Sequence, residues 1–171
     1  ALPIMKGGIG HASVQVGPWV VGAMIACNAV GDVIDPDSGQ IVAGARKAQG
    51  MGLLNTQAAL LAGQSRAPRL MPGTHTTIGV IACNARLDKA QAQRLAVAGH
   101  DGLARAVRPA HTPMDGDTLF ALATGECEQT PNPMLLSAMA AQAVALACVN
   151  AVQSASGLRL GSRWWPSARE L

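Results

Sequence analysis

The sequence predicts a mixed α/β (α+β) domain of layered helices and sheets. Three observations carry this. Hydrophobic residues make up 49% of the 171-residue chain, enough for one domain with a real core. Aromatics are only 2%, while alanine and glycine are abundant, so small side chains must pack where rings usually do, and elements must approach one another closely. Short apolar runs bounded by Gly, Pro and Asn are interspersed with two long helical stretches.

In chain order, Ser13 to Val16 and Val20 to Asn28 read as strands, with Gly17-Pro18 as the turn between them. The run Asp32 to Val42 holds a Pro36-Asp37-Ser38-Gly39 turn between two apolar segments, a hairpin signal. From Arg46 to Thr74 the periodicity fades into an exposed linker, with a short helix around Gln57 to Ala62. Linkers of this length are usually functional or disordered. Thr76 to Asn84 is a strand, Asp88 to Val107 an amphipathic helix, and Thr118 to Ala123 a strand. Asn132-Pro133 supplies an N-cap and a first-turn proline for a long Ala-rich helix. The tail with Trp164-Trp165-Pro166 reads as a loop packed on the surface. The pentapeptide Ile-Ala-Cys-Asn-Ala occurs at 25–29 and at 81–85, read as two strands in matching positions of one sheet, each ending in Asn at a cleft.

Several function classes are disfavoured. The net charge is +3 with 13% charged residues, and the cations form no stripe interleaved with aromatics, so nucleic acid is not expected as a partner. Cys27, Cys83, Cys127 and Cys148 show no CxxC spacing. Buried free thiols are expected rather than a zinc site, and no metal or cofactor is implied. Met134 to Val152 carries no charge and approaches spanning length, but its alanines, Gln142 and Asn150 fit a helix buried on nearly all sides. No signal peptide is visible, which fits a cytoplasmic, bacterial-type protein. Ala1 is not an initiator, and an upstream portion is expected.

Three places could carry chemistry. Thr76 heads an apolar strand behind the exposed linker, where a cut would expose a new amino terminus. An α-amine, with a reference pKa of about 7.7–8.0, is a base poised near neutrality and could take the proton of its own side-chain hydroxyl. Strands also begin with β-branched residues for no functional reason. In His111-Thr112-Pro113-Met114-Asp115-Gly116-Asp117-Thr118, two carboxylates flank a glycine ahead of a strand. They could orient an ammonium or a hydroxyl, or simply build a turn, and they are too few ligands for calcium. Asn28, at a strand end, could donate to a developing oxyanion or open a turn.

Lys6-Gly-Gly-Ile-Gly, Asn28-Ala-Val-Gly-Asp-Val, Thr76-Thr-Ile-Gly-Val and His111-Thr-Pro-Met-Asp-Gly-Asp-Thr-Leu-Phe-Ala-Leu-Ala-Thr-Gly125 follow one another in this order. The set resembles the L-aminopeptidase/D-esterase family of N-terminal-nucleophile hydrolases, which includes β-aminopeptidases and the nylon-oligomer endohydrolase. The resemblance runs from about Lys6 to about Ala155. It implies an αββα sandwich, here incomplete at the N-terminus, and a precursor that cleaves itself before the nucleophile.

On that resemblance residues 1–75 end a would-be α subunit, with a processing linker at about 47–75, and residues 76–171 form the β subunit. Thr76 is the nucleophile, Asn28 helps stabilise the oxyanion, and Asp115 and Asp117 orient and tune Thr76. The implied function is an aminopeptidase or amide hydrolase acting on peptides or small amides. Its partners would be the missing N-terminal portion of the precursor and further copies of the processed heterodimer, without nucleic acid or membrane.

The chain departs from the family at His75, where Asn is frequent, and at Cys83, where a hydroxyl residue is more usual. Family members are about twice this length and carry a functional lysine upstream, a role not given to Lys6. Two alternatives stand beside this reading: an acyltransferase like the ornithine acetyltransferases, against which the Asp115-Gly-Asp117 motif speaks, and an inactive fragment.

Overall fold

The computed structural model describes residues 4–47, 52–64 and 75–171. A mixed four-stranded sheet forms the centre. Strands β1 (Gly8–Val16) and β2 (Trp19–Cys27) make a long antiparallel hairpin, β2 pairs antiparallel with β5 (Ile78–Ala85), and β5 pairs parallel with β7 (Thr118–Cys127), giving the order β1-β2-β5-β7. A parallel pair needs a crossover, and helix α2 (Lys89–Ala106) supplies it. Asp88 caps α2 by accepting from Gln91 N at 2.8 Å, and the Gln91 side chain returns the bond to Asp88 N at 2.9 Å, a reciprocal cap. Helix α3 (Pro133–Gln153) begins where Asn132 accepts from Met134 N at 2.9 Å.

Period-two burial along the strands decides the layering. Val21, Ala23, Ile25 and Cys27 of β2 face the same core as Ile81, Cys83 and Ala85 of β5, under α2 and α3. The apolar span of α3 is long enough to cross a membrane, but 67% of it is buried, and it packs against β1, β2 and α2 as the core helix expected from its alanines. Small residues make this possible. A Cβ on Gly10 would lie 2.2 Å from Ala151 N and 2.3 Å from Ala147 O, and one on Gly102 would lie 2.2 Å from Ala141 O. Sheet and helices thus meet backbone to backbone, so a chain with 2% aromatics still closes its core.

Three further pieces frame the sheet. The turn at 36–39 is present, with Asp35 accepting from Asp37 N and Ser38 N and Gly39 at φ +72°. It joins β3 (Asp32–Ile34) to β4 (Ile41–Ala43), and β6 (Val107–Arg108) pairs with β3 on its other side. Helix α1 (Thr56–Leu61) lies within the expected linker. The buried Asp32 holds its start, accepting from Thr56 N at 2.5 Å, Thr56 Oγ1 at 2.8 Å and Ala45 N at 3.1 Å. The rest of the linker expectation falls partly on residues 48–51 and 65–74, outside the described residues.

Three expectations change. β1 begins at Gly8 rather than Ser13, because its glycines are where α3 lies on the sheet. The tail is not a plain loop: β8 (Leu158–Leu160) and β9 (Arg163–Trp165) form a hairpin, with Arg159 4.9 Å over the Trp164 ring. The two Ile-Ala-Cys-Asn-Ala segments do share one sheet, but β2 and β5 run antiparallel, so their asparagines sit at opposite ends. Asn84 closes the β1–β2 turn through Val20 N and Pro18 O. Asn28 lines a cleft.

Of the four layers that the resemblance implies, the described residues form one helical layer and one main sheet. The other face of that sheet is apolar and open, with Ile9 66%, Met24 53% and Phe120 65% exposed.

Candidate active site

Just before β5, residues 75–77 extend its ladder. His75 bridges Asp115 in parallel, Gly116 N donates to His75 O at 3.0 Å, and Thr118 N donates to Thr77 O at 3.0 Å. On the other flank Thr76 N donates to Asn28 O at 2.9 Å. The His75–Thr76 peptide is therefore held from both sides, by the end of β2 and by the Asp115-Gly116 turn. Strand alternation sends Thr77 into the core, fully buried, and leaves Thr76 and Ile78 on the open face.

There they line a cleft of about 390 Å³ together with Lys6, Ile9, Ala26 and Asn28. Thr76 Oγ1 donates to its own preceding carbonyl, His75 O, at 2.8 Å. That carbonyl thus carries two donors, the hydroxyl and Gly116 N–H. The hydroxyl is thereby held against the carbonyl, and the Gly116 N–H is placed to stabilise charge that develops on its oxygen. A Cβ on Gly116 would lie only 2.8 Å from Thr76 Oγ1, so this approach requires glycine.

The two carboxylates of the motif act on neighbours of Thr76. Asp115 accepts from Val30 N at 3.1 Å through Oδ1, and from Thr112 N at 3.1 Å and Thr112 Oγ1 at 2.6 Å through Oδ2. It ties the loop that follows Asn28 to the motif turn. Asp117, with its side chain 3% exposed, accepts from Thr77 N at 2.9 Å through Oδ1. Its Oδ2 faces His111 Nδ1 at 3.2 Å and accepts from His111 N at 3.3 Å. All four residues singled out in the sequence, Asn28, Thr76, Asp115 and Asp117, converge on one end of the sheet.

Several contributors escaped sequence reasoning. Gly116 acts through its backbone N–H, which no residue type announces. Lys6 lines the cleft beside Thr76 and Asn28, although its motif is not that of the family's upstream functional lysine. His111 lay inside the quoted motif, but its φ of +54° and its ring contact with His100, 4.9 Å between centroids, are tertiary facts.

Behind the site, Cys27 accepts a hydrogen bond from Cys148, which holds the Cys27 thiol below its ordinary range despite burial. The Cys148 thiol, as donor and buried, is pushed well above it. Both are free and sit in the core, as expected. No cluster of three or more metal-ligating side chains occurs among the described residues.

Comparison with known proteins identifies the family and the fold. Residues 2–160 match peptidase family S58. An uncharacterized aminopeptidase of Mycobacterium tuberculosis is 38% identical over 167 residues, covering 86% of this chain and 44% of the relative. A 6-aminohexanoate-oligomer endohydrolase of Paenarthrobacter ureafaciens is 32% identical over 130 residues, covering 74% of this chain and 36% of the relative. Among solved structures, a Burkholderia sp. beta-aminopeptidase superposes with a TM-score of 0.66 at 24% identity, over 97% of this chain and 48% of that one. An L-aminopeptidase D-Ala-esterase/amidase from Ochrobactrum anthropi, described as a variant of the Ntn hydrolase fold, gives 0.63 at 21% identity, over 98% and 46%. The chain thus spans about half the length of the relatives it matches.

Proposed function

The chain belongs to peptidase family S58, and from that premise we propose that it is the catalytic portion of a self-cleaving amide hydrolase with Thr76 as its nucleophile. The observation that carries the reading is the His75–Thr76 peptide itself. Its carbonyl receives Thr76 Oγ1 at 2.8 Å and Gly116 N at 3.0 Å, and its nitrogen is fixed on Asn28 O.

In maturation Thr76 Oγ1 bonds to the His75 carbonyl carbon. The carbonyl electrons move onto the oxygen, where the Gly116 N–H receives them. Collapse breaks the C–N bond, the hydroxyl proton passes to the departing nitrogen, and an ester joins His75 to Oγ1. Water then hydrolyses the ester, leaving a carboxylate on His75 and a free amine and hydroxyl on Thr76. In turnover the same hydroxyl attacks a substrate amide while the α-amine takes its proton. Asn28, in the wall of the same cleft, steadies the oxyanion. Asp115 and Asp117 hold the backbone on either side of the nucleophile. The substrate class is short peptides or small amides, and turnover releases an amine and then, with water, an acid.

The open apolar face supports a further part of the reading: a second sheet from the remainder of the precursor covers Ile9, Met24, Ile78 and Phe120 and completes the cleft. Membership of a peptidase family favours transfer to water over the acetyl-transfer alternative.

The test is intact mass and N-terminal sequencing of the full-length precursor. Two fragments are expected, one beginning at Thr76, and a single intact chain for Thr76→Ala. A wild-type precursor that stays whole, or a Thr76→Ala variant that is still cut at that bond, overturns the reading.

A further inference from the structure

We infer that His111 is a positioning residue for this site, acting on Thr76 through Asp117; the inference rests on the reading of Thr76 as the nucleophile. Asp117 is a buried carboxylate, and such a group holds its charge and orientation only when its oxygens are hydrogen-bonded. Oδ1 fixes Thr77 N, one residue from the nucleophile. Oδ2 meets a single residue twice: it accepts from the His111 backbone N–H, long at 3.3 Å, and lies 3.2 Å from ring Nδ1.

A nitrogen that faces a carboxylate carries its proton in either charge state of the ring, so Nδ1–H donates whether His111 is neutral or cationic. The ring is held in place from two sides, by Asp117 and by the His100 ring at 4.9 Å. The backbone is held too. At φ +54°, His111 sits in the left-handed region that a non-glycine residue adopts only where the surroundings impose it. The chain runs His100, His111, Asp117, Thr77 N, Thr76, from a half-buried helix face to the nucleophile. Without the Nδ1 donor, Oδ2 keeps only its long backbone bond. The carboxylate is then free to turn, and its grip on Thr77 N weakens.

The backbone conformation itself supplies the discriminating variants. Glycine and asparagine both tolerate φ near +54°. Asparagine carries an amide nitrogen at the same branch position as Nδ1 and can donate to Oδ2, whereas glycine cannot. In the full-length precursor, His111→Gly is expected to slow appearance of the Thr76 N-terminus by about tenfold or more, and His111→Asn to stay within about threefold of wild type. His111→Asp keeps the backbone tolerance but sets an acceptor against an acceptor, and is expected to be at least as slow as His111→Gly. Adding His111→Gly to Asp117→Asn is expected to cause little further loss, since both break one contact.

Cleavage of the Gly and Asp variants at the wild-type rate overturns the inference, as does an Asn variant as slow as Gly. Full additivity with Asp117→Asn overturns it as well. A wild-type precursor that never cleaves removes the underlying reading instead, and this inference with it. A role in folding alone would lower the melting temperature without the split between Asn and Gly.

Discussion

A methyl group on Gly116 would lie 2.8 Å from Thr76 Oγ1, 3.6 Å from its Cγ2 and 3.8 Å from its Cβ. The only offending atom is the tip of a side chain that turns about one bond, and the Gly116 N–H bond to His75 O is kept in Gly116→Ala. Relief of the contact asks for a shift of roughly 0.5 Å, a turn of about 20° in χ1, which costs on the order of 1 kcal/mol. The melting temperature should therefore fall by only about 2–4 °C. The chemistry should suffer more. Oγ1 would leave its 2.8 Å contact with His75 O, and misplacing a reacting atom by about 1 Å costs on the order of 100-fold, so self-cleavage should slow by roughly 10- to 100-fold. The assay is a time course of fragment formation by mass spectrometry beside thermal melts of the freshly purified, still uncleaved precursor with Thr76 intact, with and without Gly116→Ala. Cleavage at the wild-type rate, or a melt that collapses with it, refutes the claim that Gly116 is small in order to admit the nucleophile.

Two other outcomes follow from the packing and the titration of the fold. Gly10→Ala sets its Cβ against backbone atoms of α3, 2.2 Å from Ala151 N and 2.6 Å from Ala151 Cα. The helix must move, with an expected loss of about 1–3 kcal/mol in urea denaturation of the full-length chain. An unchanged midpoint would contradict the close approach of helix and sheet. His100 is held below its ordinary pKa of 6.5, first by burial and then by the neighbouring His111. The unfolded chain then takes up the proton first, so this group withdraws stability as pH falls through about 6.5 and has no such effect above it. His100→Gln should lose less stability than wild type between pH 7.5 and pH 5.5. Identical losses would show that His100 is not the group responsible.

Local signals in the chain were enough for most of the elements. Asp88 with Gln91, Asn132 with Pro133, and the Pro-Asp-Ser-Gly turn each state their own geometry, because caps and turns are decided by a few consecutive residues. The motifs around Asn28, Thr76 and Asp115-Gly-Asp117 carried a resemblance that the match to peptidase family S58 bears out, and the fold brings these residues to one end of the sheet. Other features depend on pairing across the sheet. That Asn28 faces the cleft while Asn84, in an identical pentapeptide, closes a distant turn follows from antiparallel pairing, which no pentapeptide encodes.

The part played by the two carboxylates was likewise a tertiary matter. The sequence could place two acids near a threonine, but only the fold shows Asp115 tying down Val30 and Asp117 holding Thr77 N. The Gly116 N–H on the His75 carbonyl and the His111 ring on Asp117 had no compositional trace, because a backbone donor looks the same at every residue and a left-handed φ is visible only in space. Composition fixed that the core had to be built from small side chains. Which glycines meet which helix turn was decided by how the helices lie across the strands, and where the His75–Thr76 bond is held by which strand ends lie beside it.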